Sequence, residues 1–221
     1  MVYIFDVDDT IIKKSSAWHF LLEALNDGLI RYSQISGLPV EWLKYKLGRP
    51  DIDFIEKAVI PLSGIEKSAL KRISESCFER RIKPNIYTGA ARLVREAMEK
   101  GTVIFATSSL HVLIRPLERF FGIEGSLAGE LEFRDGKTTG RLIGDSFFGL
   151  KKKAAVERWL ERNGLRPDEV CFYSDSYTDI PLLEFCGRPV AVNPDRILAK
   201  EAKKRGWETI RFNEVLKNRP V

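Results

Sequence analysis

The chain has 221 residues, 44% of them hydrophobic and 30% charged, with a formal net charge of +5. That length admits one large domain or a core domain with a smaller insert, and the balance of residue types describes a globular chain with a dense charged surface. No apolar run approaches the roughly 20 residues that a membrane-spanning helix needs, and the scattered basic residues form no long or aromatic-interleaved block of the kind that binds nucleic acid.

Asp6 interrupts the first apolar stretch too early for a secretory signal. Cys77, Cys171 and Cys186 are few, odd in number and far apart, which fits a reducing compartment and argues against a disulfide framework or a zinc knuckle. The expectation is a cytoplasmic protein with neither a membrane nor a nucleic-acid partner. A small anionic substrate would suit the positive charge equally well.

Val2, Tyr3, Ile4 and Phe5 read as a strand buried on both faces. Trp18, Leu21, Leu22, Leu25 and Leu29 then recur at helical spacing, with Ser15 or Ser16 as the N-cap. Further helical patterns lie at 40–47, 52–60 and 65–80, the last carrying Ile65, Ala69, Ile73 and Cys77, and no strand is predicted between 14 and 84. Thr88 is expected to cap a helix that runs to Lys100 and stops at Gly101. "TVIFA" (102–106) is a second buried strand, and 110–121 is a helix that Pro116 kinks or shifts. "GELEFRDGKTTGRL" (129–142) reads as a hairpin turning on Asp135-Gly136. A helix at 152–162 with Val156, Trp159 and Leu160 on one face precedes strands at 169–174, 189–192 and, at an edge, 208–212. Strands alternating with helices predict a parallel α/β sheet. The α/β core comprises 1–13 and 85–221, and a small all-helical cap is inserted at 14–84.

Ligands of open α/β sheets sit beyond the carboxyl ends of the strands. The first strand there ends on Asp6-Val7-Asp8-Asp9-Thr10, the second on Thr107-Ser108-Ser109, and the third on Ser174-Asp175-Ser176-Tyr177-Thr178-Asp179, with the lysine run 151–153 near a helix start. Clustered carboxylates repel unless a cation neutralises them, and a hard cation such as Mg²⁺, which takes oxygen ligands and phosphate, is the natural partner. Hydroxyls, backbone N–H groups and a lysine would neutralise the remaining phosphoryl oxygens. One aspartate can then act as nucleophile and a second as general acid and base. Asp51 and Asp53 share the spacing of Asp6 and Asp8, but they follow Pro50 and precede a helical pattern, so they read as helix N-terminal charges. Only two histidines occur, His19 and His111, and nothing in their spacing supports a metal pair. The P-loop, dinucleotide and G-x-S-x-G hydrolase signatures do not occur.

"DVDDT", "ATSS", the lysine near 152 and "SDSYTD" resemble, in order, the four motifs of the haloacid dehalogenase-like (HAD) superfamily. The helical insert after the first motif resembles the cap of its phosphoserine-phosphatase-like branch. "IRPLERFFGI", "PVAVNPD" and "GWETI" are similar to its IB-type hydrolases. The resemblance implies a three-layer Rossmann-like core and a Mg²⁺-dependent phosphatase for a small phosphorylated metabolite. Asp6 would be the nucleophile that forms an aspartyl-phosphate, and Asp8 would protonate the leaving group and then activate water. The Asp6 and Asp175 carboxylates and the Asp8 backbone carbonyl would hold Mg²⁺, with Asp179 behind them. Thr107 and the Ser108 N–H would bind the phosphoryl group with Lys152, or else Lys153. An acid at position 8 favours phosphatases, with phosphotransferases or mutases as the alternative and a non-catalytic binding protein as a further one. Phosphoserine phosphatases carry a glutamate shortly after the first motif. Lys14-Ser15-Ser16-Ala17 stands there in this chain, and Arg49 lies only near the position of the arginine that holds the substrate carboxylate, which points away from phosphoserine.

Overall fold

The computed structural model describes residues 1–35, 54–144 and 146–216. In chain order the described elements are β1 (Val2–Phe5), α1 (Ser16–Asn26), α2 (Phe54–Val59), α3 (Lys67–Cys77), α4 (Thr88–Lys100), β2 (Thr102–Leu110), α5 (His111–Phe121), β3 (Ser126–Arg134), β4 (Lys137–Ile143), α6 (Leu150–Arg162), β5 (Val170–Ser174), α7 (Ile180–Phe185), β6 (Arg188–Val192), α8 (Arg196–Arg205) and β7 (Glu208–Ile210). The pattern around 40–47, Arg49 and the Asp51/Asp53 pair lie outside the described residues.

The seven strands form one sheet in the order β4-β3-β2-β1-β5-β6-β7, parallel throughout except between β3 and β4. β1 is central and fully buried, so both its faces must be apolar. Tyr3, Phe5 and Val7 pack with Val94 and Ala97 of α4 and Leu113 and Leu117 of α5. Val2 and Ile4 pack on the other face with Val156 and Leu160 of α6, Leu182 and Leu183 of α7, and Leu198 and Ala202 of α8. This is the expected three-layer α/β architecture. The hairpin turns at Asp135 (φ 48°) and Gly136 (φ 77°), a pair of left-handed residues that suits the twist of a two-residue loop. α7 and α8 were not expected from the periodicity. The first is short, and the second owes its start to Asp195, whose carboxylate accepts from the N–H groups of Ile197 and Leu198.

Several local expectations need correction. α1 is capped by Ser15, and Leu21, Leu25 and Leu29 of the expected stripe pack half-buried against the core. The fully buried residues, however, are Ser16, His19, Phe20, Glu23 and Ala24, and Trp18 is 47% exposed. Polar residues occupy that inner face because each has a partner. Glu23 accepts from Ser76 Oγ (2.7 Å), Arg81 Nε (2.6 Å) and Arg80 (3.2 Å). Tyr87, not Thr88, precedes α4 as its cap residue, and no side chain caps there. Gly101 ends α4 in extended backbone, and it is glycine because a Cβ there would lie 2.2 Å from the Met1 carbonyl oxygen. Pro116 sits inside α5 and leaves the Val112 carbonyl without its helical donor. Ser74 Oγ of α3 donates to that carbonyl instead (2.5 Å). One buried cluster joins Phe20, Ala24, Leu70 and Ile73 to Leu113, Ile114 and Leu117. The outer edge of β4 is covered in part by residues 64–67, through Gly64 N–H to Thr138 O (2.7 Å) and Lys67 N–H to Gly136 O (2.9 Å).

Candidate active site

Strand register assembles the site. Phe5 pairs with Phe105 on one side and with Tyr173 on the other, so the residues just beyond them emerge on one rim. Asp6 carries the ladder one step further, its N–H donating to Tyr173 O (2.9 Å). Alternation puts Asp6 on the same face as Val2 and Ile4, the face against which α6 packs. On α6, Lys152 heads the stripe that continues through Val156 and Leu160 at four-residue spacing. The lysine therefore reaches Asp6. Its ammonium donates to Asp6 Oδ1 (2.9 Å) and to Asp179 Oδ2 (2.7 Å). Ser174 Oγ donates to the same Asp179 oxygen (2.7 Å). Lys153 lies off that stripe, 3.6 Å from Glu157 and over the Phe185 ring, and Lys151 pairs with Glu56 of α2 (3.0 Å).

After Asp6 the chain turns sharply. Ile11 and Ile12 donate back to the Val7 carbonyl, and Asp9 adopts φ 54°. Asp8 is delivered to the first turn of α1, where the Ser16 N–H donates to its Oδ1 (2.8 Å). Thr10 Oγ1 donates to Asp175 Oδ1 (3.4 Å). Thr107 is fully buried and accepts from the Ser109 N–H (3.2 Å), with half-buried Ser108 beside it. Of the residues expected to act, Asp6, Lys152 and Asp179 are in direct contact. Asp8 and Asp175 bear on them through charge, and Thr107 and Ser108 end the neighbouring strand.

The charges do not balance. Lys152 is the one ammonium in contact with Asp6 and Asp179, while Asp175 and Asp8 add further negative charge beside Asp6. Burial, abetted by Asp179 and Asp8, pushes Asp6 up to about 7 despite Lys152. Burial and then the carboxylates of Asp6, Asp9 and Asp179 raise Asp175 well above the usual carboxylate range. Burial raises Asp8 too, against its hydrogen bonds from Ser16. Burial would lower Lys152, but Asp179 and Asp6 outweigh it and keep the ammonium charged. Asp179 Oδ1 is buried without a hydrogen-bond partner. A surplus of carboxylate oxygens with an orphaned one among them fits a hard divalent cation. Among the described residues no three His, Cys, Asp or Glu side chains are grouped to hold a metal by themselves, so backbone oxygen would have to complete any such site.

Neither histidine joins this cluster. His19 Nε2 bonds the Lys13 carbonyl (3.1 Å), and His111 lies between Glu118 (3.4 Å) and Glu130 (2.5 Å). The three cysteines are free and buried, and no helix among the described residues is long and apolar enough to cross a membrane.

Sequence reasoning assigned no role to the loop after β6, yet it braces the rim. Asn193, at φ 44°, donates through Nδ2 to Asp9 O (3.1 Å) and accepts from Phe212 N–H (2.7 Å). Asp195 donates its N–H to Asp175 O (2.9 Å) and accepts from Tyr177 N–H (2.8 Å). The available signal was its place, since a polar loop directly after a buried parallel strand opens on the same rim.

The model of the haloacid dehalogenase-like hydrolase family matches residues 3–184. A histidinol-phosphatase of Neisseria meningitidis serogroup C is 33% identical over 218 residues, covering 95% of this chain and 97% of that protein. A Mycobacterium tuberculosis protein named as a phosphoserine phosphatase is 31% identical over 210 residues, covering 92% of this chain and 68% of its own length. Among solved structures, a protein of unknown function from Bordetella pertussis Tohama I superposes with a TM-score of 0.85 at 28% identity, covering 95% of this chain and 97% of that one.

Proposed function

Because the chain belongs to the haloacid dehalogenase-like hydrolase family, we propose that it is a Mg²⁺-dependent phosphatase that hydrolyses a small phosphomonoester through a phosphoryl group carried on Asp6. The observation that carries this reading is Lys152, buried and shared between Asp6 and Asp179 within an excess of carboxylates. Both named relatives are, by name, phosphatases of small metabolites. Residues 14–84 serve as the cap, and 1–13 with 85–221 as the catalytic core.

Asp6 attacks phosphorus, the bond from phosphorus to the leaving oxygen breaks, and Asp8 gives that oxygen its proton. Asp8, now a carboxylate, takes a proton from water as the water oxygen attacks phosphorus, which releases phosphate and regenerates Asp6. The raised Asp8 suits the first step, because the acid must begin protonated. Lys152 favours ionised Asp6 and neutralises a phosphoryl oxygen. Thr107 donates to another, since its hydroxyl proton is not used in accepting from Ser109. Mg²⁺, held by the Asp6 and Asp175 carboxylates and the Asp8 carbonyl, would supply the remaining positive charge. A panel of phosphorylated metabolites assayed with and without Mg²⁺ tests the reading. Release of phosphate from one or more of them only with the metal, and its loss in Asp6→Asn, are expected. Turnover that survives Asp6→Asn sinks the nucleophile assignment.

A further inference from the structure

We propose that Ser16 and Ser109 form a positioning pair that holds Asp8 in register with Thr107, and that proton delivery to the leaving group depends on it. This rests on the reading of Asp8 as the acid. Ser16 opens α1 and is 0% exposed, while Ser109 lies near the end of β2 and is 6% exposed. Their hydroxyl oxygens are 2.7 Å apart.

Each serine also uses its backbone on a proposed functional side chain. The Ser16 N–H, one of the donors a helix start leaves free, bonds Asp8 Oδ1 (2.8 Å). The Ser109 N–H bonds Thr107 Oγ1 (3.2 Å), so the threonine's own proton is left for another acceptor. The contact between the hydroxyls therefore joins the anchor of the acid to the anchor of the phosphoryl-binding hydroxyl, across two elements 93 residues apart in sequence. A buried hydroxyl is costly without a partner. Ser109→Ala removes the contact that ties Ser16 to β2. Ser16→Ala removes that contact, leaves the Ser109 hydroxyl without it and also takes away the Ser16 side-chain hydrogen bond to Asp8. Either change loosens the first turn of α1, and Asp8 moves with that turn. Thr107 keeps its backbone donor in both variants.

The consequence is selective. An alkoxide leaving group needs the proton from Asp8, whereas p-nitrophenolate departs without it. kcat/KM reports the steps up to departure of that group, before water enters. Ser16→Ala and Ser109→Ala should each lower kcat/KM for an alkyl phosphate by about 10-fold, a partial loss of an acid's usual contribution. For p-nitrophenyl phosphate the change should stay under about twofold. The double variant should be little worse than Ser16→Ala, because that variant already loses the contact between the hydroxyls. An equal loss on both esters, or no loss on either, overturns the proposal. If Ser16→Ala fails to fold, Ser109→Ala carries the comparison. Absence of turnover of both esters by the wild-type protein with Mg²⁺ overturns the phosphatase reading itself, and this inference with it.

Discussion

Lys152 and Lys153 are adjacent, and their surroundings set opposite consequences for removing them. Lys152→Met leaves Asp6 and Asp179 buried without their cation. Breaking one side of a buried pair costs about 3–5 kcal/mol, so urea unfolding of metal-free Lys152→Met should show a loss of that order. Lys153→Met, at a half-buried position 3.6 Å from its carboxylate, should stay within about 0.5 kcal/mol of wild type. His111 gives a pH test. A hydrogen bond with Glu118, then one with Glu130, raises it above the ordinary histidine value against its partial burial. A folded-state value above the unfolded one means that its contribution is fully present below about 6.5 and is lost as pH rises through the raised folded value. Thermal midpoints measured across that window should fall with pH more steeply in wild type than in His111→Gln.

At the scale of the element, α5 holds a proline in its body because α3 replaces the bond it forfeits. Ser74→Ala leaves the Val112 carbonyl unpaired, at about 1–3 kcal/mol. Pro116→Ala restores an N–H to that carbonyl, so Ser74→Ala should cost clearly less in that background. A double-mutant cycle by denaturant unfolding reads the difference, and additive losses would contradict the replacement. Sequence legibility follows the same division. The alternating and continuous apolar runs of the strands were readable, because a sheet buried on both faces admits little else at those positions. The inner face of α1 was not. Its burial of His19 and Glu23 depends on Lys13, Ser76, Arg80 and Arg81, and periodicity counts apolar residues without seeing partners.

For the whole molecule, the unbalanced carboxylates tie stability to the proposed metal. Mg²⁺ at about 100 times its dissociation constant should add about 2.7 kcal/mol to the unfolding free energy. The thermal midpoint should rise on addition and fall again with a chelator. Asp175→Asn should abolish that response. Without metal it should be no less stable than wild type, since it removes a charge that burial, and then the carboxylates of Asp6, Asp9 and Asp179, disfavour.

The succession of strands and turns along the chain, and the gathering of Asp6, Thr107, Asp175 and a lysine on one rim, followed from the amino-acid sequence, because parallel strands in register must end together. The order of the strands in the sheet came from the tertiary structure. Which lysine arrives was decided by α6 docking on the face that Asp6 shares with Val2 and Ile4. That Asn193 and Asp195 brace the rim, and that Ser16 meets Ser109, also came only from the tertiary structure. Hydrogen bonds between residues distant along the chain have no period and leave no trace in local composition, so they become visible only once packing has brought the partners together.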